Sequence, residues 1–148
     1  MVNKLNIVYS QANSEDELDI FNLLKELGGD RSEFDVTKFY VAKDDNNLVG
    51  CIRAKVFDNG CLELSSLAVD KKYQKRGIGT KLVEELLVKE ITRPIFILTE
   101  LNKKNFYKKF GFNIVEPSNL PDEFKKEYER IVSLPFAKNL QVIAMMIE

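Results

Sequence analysis

Apolar positions change period along the chain, and each change marks an element. Leu5 to Tyr9 alternates enough for a first strand. Farther on, Ile20, Leu23, Leu24 and Leu27 repeat at i, i+3, i+4, i+7 with Phe21 beside them, the stripe of an amphipathic helix. Ser14, followed three residues later by Glu17, reads as its capping box and Gly28-Gly29 as its stop, so the pattern predicts a helix of about 13 residues. The stretch from Gly28 to Lys38 is too short for a second long helix.

Phe39 to Ala42 and Leu48 to Phe57 read as strands joined by a turn at Asp44 to Asn47. Asn59-Gly60, taken as a two-residue type I′ turn, returns the chain into a third strand of this meander, Cys61 to Val69. A helix is expected from Gly77 to Ile91, burying Leu82, Val83, Leu86, Leu87 and Ile91. Pro94 closes the link to Ile95 to Glu100, a nearly all-apolar run that suits a central strand covered on both faces. Phe106, Tyr107 and Phe110 stand at helical spacing within Asn102 to Phe110, which stops at Gly111 before a short strand, Phe112 to Val115. Pro117 and Pro121 mark a loop, a helix follows from about Asp122, and Gln141 to Glu148 reads as the last strand. The order predicts a mixed α/β sheet in one domain, residues 1–148.

Composition narrows the chemistry. With 148 residues and 45% hydrophobic content, the chain can bury a core without metal or disulfide support. Cys51 and Cys61 are expected as buried thiols that do not pair, because the Asn59-Gly60 register sets neither opposite the other. No run approaches the length of a membrane span, and the first residues lack a signal-peptide core, so a cytoplasmic location is expected. Histidine is absent, which removes Ser-His-Asp and Cys-His systems and histidine metal sites; no metal is expected. Acid and base work must fall to Glu, Asp, Tyr, Lys or Cys.

Against that background the stretch "YQKRGIGTKL", Tyr73 to Leu82, stands out. Glycines just before a helix let backbone N–H groups and the positive end of the helix approach an anion, and Lys71, Lys72, Lys75 and Arg76 add charge beside them. A Walker loop is excluded, since Gly79 is followed by Thr80 and Lys81 and has no glycine five residues before it. A dinucleotide GxGxxG is excluded too, because Leu82 stands where its third glycine belongs. What remains is a Q/R-x-x-G-x-G/A loop: Gln74, Lys75, Arg76, Gly77, Ile78, Gly79.

With the upstream block "LELSSLAVDKKYQKRGIG" and the downstream "NKKNFYKKFGF", that loop resembles the central region of the GNAT superfamily of N-acetyltransferases, over roughly Leu48 to Val115. The resemblance implies a mostly antiparallel central sheet flanked by helices, with the strands before the loop and after the helix splayed at the cofactor site. It implies acetyl-CoA as cosubstrate, its pantetheine arm held by the backbone of Leu67, Ala68 and Val69 and its pyrophosphate by the amides from Arg76 or Gly77 through Ile78, Gly79 and Thr80, with Gln74 and Lys75 in the same loop. Tyr107 matches the thiolate-protonating tyrosine, Glu63 the strand carboxylate that several members use as base, and Asn102 or Asn105 a contact to the cofactor's amide arm.

Acetyl transfer to an amine calls for these roles, since an alkylammonium with a pKa of about 10.4 must lose its proton before attack. The tetrahedral intermediate calls for an oxyanion donor such as the Val69 N–H, and the departing thiolate for an acid. In the two-residue register, Glu63 shares a face with Val56, Ala54 and Ile52, an aliphatic row that would raise its pKa; Glu100, at the end of its strand, is a second candidate base. "PSNLPDEFKKEYERI" resembles the LP-containing segment of some amino-acid N-acetyltransferases, which points to a small amino acid-like amine, with protein amines and aminoglycosides as alternatives. A sensor domain that binds acyl-CoA without turnover is a further alternative. A nucleic-acid module is disfavoured because 22 basic residues are offset by 23 acidic ones. Monomer and homodimer are both compatible with the sequence.

Overall fold

The computed structural model describes residues 5–148. The strands are β1 (Ile7–Gln11), β2 (Phe39–Asp44), β3 (Asn47–Val56), β4 (Leu62–Val69), β5 (Ile95–Glu100), β6 (Asn113–Val115) and β7 (Val142–Ile147), with helices α1 (Glu17–Leu27), α2 (Ile78–Lys89), α3 (Lys104–Lys108) and α4 (Asp122–Val132). The strands form one sheet in the order β1-β2-β3-β4-β5-β7-β6, antiparallel except for β4 against β5. Two compact units can be distinguished. The first holds the described residues up to Ala54 together with Leu64–Ile91, the second Lys55–Glu63 and Thr92–Glu148.

In the first unit the cap lies one residue earlier than the Ser14/Glu17 pattern predicts, and a 3-10 turn leads into α1, which starts at Glu17. Asn13 and Asp16 form the capping box around a 3-10 turn at Ser14–Asp16: Glu15 N–H donates to Asn13 Oδ1 and Asn13 N–H to Asp16 Oδ2, each at 2.9 Å. Asp16 prevails because it is also buried and ion-paired with Lys43 at 2.7 Å, an anchor the sequence does not show. Gly28, at φ +75°, ends α1 as expected. Ile20, Leu23 and Leu24 then pack against Phe39, Val41, Cys51 and Ala68. Each such side chain withdrawn from water contributes roughly 1.5–3 kcal/mol. The Gly28 to Lys38 stretch holds only a 3-10 turn, Val36–Lys38.

α2 presses on Gly50 of β3, where a Cβ would stand 3.0 Å from Leu82 Cδ1 and 3.3 Å from the Ala68 carbonyl; only glycine permits that approach. The predicted inner row of α2 holds at Leu82, Val83 and Leu86, while Leu87 is half-buried. Ile91 is 87% exposed, because the helix stops at Lys89 and the last position falls off the stripe.

In the second unit β5 pairs with β7 along its whole length and β7 with β6. Phe124 of α4 stacks on Phe96 of β5, ring centroids 4.9 Å apart, and meets Phe57 edge-on at 6.0 Å. Leu120 and Ala144 complete this core.

The hairpin between β3 and β4 departs from expectation. Gly60 N–H donates to the Phe57 carbonyl at 2.8 Å, Phe57 N–H donates to the Cys61 carbonyl at 2.9 Å, and only Gly60 has positive φ, +85°. This is a three-residue loop, Asp58-Asn59-Gly60, with the glycine in the bulge position. It pairs Phe57 with Cys61 where a two-residue turn would have paired Asp58. A one-residue slip turns a strand's side chains to the other face, so the aliphatic row predicted around Glu63 is not formed. Neither cysteine is in a disulfide; Cys51 is buried as expected, but Cys61, beside the turn, is only half-buried.

Candidate active site

Within β4 the backbone leaves strand geometry at Ser66. Ser66 adopts φ +56°, held by its hydroxyl donating to the Asp30 carbonyl at 2.8 Å and its own carbonyl accepting from Cys51 Sγ at 3.5 Å. A non-glycine residue in this conformation carries strain that its surroundings must hold. Past it, Ala68 is buried in the first unit's core, with Leu67 and Val69 half-buried on either side. The parallel ladder of β4 with β5 covers only Leu62↔Ile95 and Glu63↔Phe96, the first two residues of β4.

The loop that follows is cross-braced. Asp70 N–H donates to the Val49 carbonyl at 2.8 Å, Asp70 Oδ1 accepts from Lys72 N–H at 2.9 Å, and Tyr73 Oη donates to Asp44 at 2.8 Å. Gln74 Nε2 donates to the Val69 carbonyl at 2.9 Å. Lys75 and Gly77 both take positive φ, +63° and +84°, and Gly77 is the N-cap of α2, with no side-chain hydrogen bond capping the helix. The start of α2 at Ile78, Gly79 and Thr80 therefore presents backbone N–H groups without a serine, threonine or aspartate side chain laid across them. A Cβ on Gly79 would lie 3.8 Å from Val69 Cγ2, ordinary contact, so packing within the chain does not demand glycine there. Lys71, Lys72, Lys75 and Arg76 are exposed, and the Arg76 guanidinium lies 5.8 Å from the Tyr73 ring centroid. A rigid loop with amides at a helix start and a basic rim suits a polyanion such as a diphosphate.

The second unit carries the remaining candidates. Tyr107, on α3, is 6% exposed, wedged edge-on against Phe106 at 4.9 Å and Phe112 at 6.1 Å. Burial pushes its phenol up to about 12, so near neutrality it keeps its proton and can serve as an acid and not as a base. Glu63, at the start of β4, is 5% exposed. Glu100 is half-buried at the end of β5, opposite Val142. Asn102 and Asn105 are both exposed.

Two buried cations were not singled out in the sequence. Arg53 is 1% exposed; it donates to Ser65 Oγ at 3.0 Å, the Ser32 carbonyl at 2.8 Å and Asp30 Oδ2 at 3.2 Å, and lies 5.5 Å from the Phe39 ring centroid. Lys55 is 6% exposed, with Nζ 3.7 Å from Glu127 Oε1. Their signal was visible: "IRAKV" sets charges at alternate positions of an otherwise apolar strand, and buried charges require partners.

The family described as "Acetyltransferase (GNAT) domain" matches residues 35–114, from the turn before β2 to β6. The chain belongs to this acetyltransferase family. It is 30% identical over 95 residues to an N-acetyltransferase of Chlorobaculum tepidum, covering 62% of this chain and 60% of that one. It is also 30% identical over 98 residues to an amino-acid acetyltransferase of Neisseria meningitidis, covering 63% of this chain and 22% of that protein. The chain thus matches less than two thirds of either relative's length. Among solved structures, a GNAT family acetyltransferase from Elizabethkingia anophelis with acetyl-CoA bound superposes with a TM-score of 0.71 at 25% identity, covering 98% of this chain and 99% of that one.

Proposed function

We propose that this chain is a single-domain N-acetyltransferase that moves an acetyl group from acetyl-CoA to the primary amine of a small amino acid-like molecule. The observation that carries the reading is the braced loop from Val69 to Gly79, which opens α2 on an uncapped glycine inside the stretch matched by the family. In this reading the α2 amides from Gly77 to Thr80 hold the diphosphate of coenzyme A, and the main chain of Leu67, Ala68 and Val69 holds its pantetheine arm. The acetyl-CoA bound to the Elizabethkingia relative supports the cosubstrate. The Neisseria amino-acid acetyltransferase supports the acceptor class.

The chemistry then divides among few groups. Glu63 accepts the ammonium proton, directly or through one water, so that the amine attacks as a neutral nucleophile. Val69 N–H stabilises the oxyanion of the tetrahedral intermediate. As that intermediate collapses, the C–S bond breaks, Tyr107 gives its proton to the departing thiolate, and the surplus proton on the new amide nitrogen restores the phenol.

The test is a screen of amino acids, polyamines and peptide N-termini with acetyl-CoA, following thiol release and product mass. Acetylated amino acid with stoichiometric thiol is the expected result. Stabilisation by acetyl-CoA with no product from any amine would instead assign the chain to acyl-CoA binding without turnover. Acetylation of peptides alone would move the acceptor to protein amines.

A further inference from the structure

Glu63 has its nearest charged neighbour on the other strand of its hairpin, within the second unit. Phe57 pairs with Cys61 across the loop, and two residues farther along each strand that register sets Lys55 directly opposite Glu63. Side chains opposite one another in an antiparallel pair start about 4.5–5.5 Å apart at Cβ, within reach of an ion pair for these lengths.

Lys55 is held from above as well. Its Nζ lies 3.7 Å from Glu127 Oε1 on α4 and 5.5 Å from the centroid of the Phe57 ring. Glu127 is itself clasped by Arg130 through both carboxylate oxygens, at 2.6 and 3.1 Å. The Lys55 and Glu127 side chains are only 7% and 10% exposed, so water screens this chain of charges weakly. Around Glu63 stand Lys55 on β3 and the Cys61 thiol just before β4; behind them on α4, Glu127 with Arg130 is coupled to Lys55 and Glu123 to Cys61, and the β5 neighbour in register is the apolar Phe96.

We infer that Lys55 is a positioning residue for Glu63, keeping its carboxylate ionised and fixed while Glu127 anchors the lysine to α4. A base set in an aliphatic row would ionise late; one facing a buried ammonium ionises early and accepts a proton from the acceptor down to lower pH. This inference rests on the proposed role of Glu63.

The experiment reads the Glu63 titration directly, from side-chain carboxyl carbon shifts assigned with Glu63→Gln, beside the acid limb of kcat/KM. Lys55→Met should raise both by about one pH unit or more, the range for losing a close opposite charge. Lys55→Arg should restore them. Glu127→Gln should move them the other way, downward, because it removes a competing negative charge from the same lysine; damage to packing would not reverse sign between the two variants. An unchanged Glu63 titration in Lys55→Met, or shifts of the same sign in Lys55→Met and Glu127→Gln, overturns the inference. Should Lys55→Met not fold, Glu127→Gln decides: a fall supports the pair, no change or a rise refutes it. Full activity in Glu63→Gln removes Glu63 as base, and the carbon shifts still decide the ion pair separately.

Discussion

Gln74 donates its side-chain amide to the Val69 carbonyl at 2.9 Å, tying the loop before α2 back to the last residue of β4. Gln74 thus acts on the shape of the loop proposed to hold the cofactor. Gln74→Ala should raise the acetyl-CoA dissociation constant about fivefold, the equivalent of one exposed hydrogen bond near 1 kcal/mol, with kcat nearly unchanged. Titration calorimetry checks it, and a large fall in kcat at unaltered affinity would contradict this role.

The two loop glycines should respond differently. Gly77 sits at φ +84° with nothing within 4 Å of an added Cβ, so Gly77→Ala should cost about 1 kcal/mol of stability through backbone strain. Gly79 has ordinary φ and room for a Cβ. Gly79→Ala should therefore leave the melting temperature nearly unchanged while weakening acetyl-CoA binding at least tenfold, because in the proposed site the added methyl meets the diphosphate. Unaltered affinity in that variant would remove the loop from the phosphate site.

Tyr107→Phe keeps the ring packed against Phe106 and Phe112 and removes only the hydroxyl. Turnover should fall by about 10²-fold or more, the usual contribution of a positioned acid, with little change in cofactor affinity. Since burial lifts the phenol to about 12, the alkaline limb of the wild-type profile below pH 11 should not belong to this group. Pre-steady-state thiol release distinguishes loss of chemistry from slow product release.

Alkaline instability should begin near pH 9, where a free cysteine thiol ionises. Burial raises the Cys51 thiol from 9.0 to about 12. The unfolded chain then gives up this proton first, so the stability linked to it is fully present below about pH 9 and declines as the pH climbs toward 12. Denaturant titrations at steps from about pH 8 to about pH 11 should show the decline, and Cys51→Ala should flatten its slope even while lowering stability at every pH.

Arg53 holds the Asp30–Ser32 stretch to β3 and β4 with all three of its donor nitrogens. Arg53→Ala should destabilise by on the order of 3 kcal/mol, as when one partner of a buried pair is removed. Arg53→Lys should recover little, since an ammonium lacks the planar fork that reaches three acceptors. Equilibrium unfolding of the two variants checks both statements, and recovery of wild-type stability by lysine would show that charge alone suffices.

Elements whose identity rests on neighbouring residues were legible in the chain itself. The stripe Ile20, Leu23, Leu24, the stop at Gly28, the apolar run Ile95–Glu100 and the glycine loop before α2 all lie where local periodicity and turn chemistry put them. Those signals operate within a few residues, so no distant contact was needed to read them. What the fold alone settled depends on partners far apart in sequence. Asn59-Gly60 suits a two-residue turn as well as a three-residue one, and only pairing with the far strand, Phe57 to Cys61, decides which face Glu63 takes. Asp16 outranks Ser14 and Glu17 in the cap because Lys43 waits across the unit. Lys55 and Arg53 read as misplaced charges until Glu127 and Asp30 arrive beside them. A buried charge is tolerable only with its counter-ion in place, and the position of that counter-ion is a property of the folded chain.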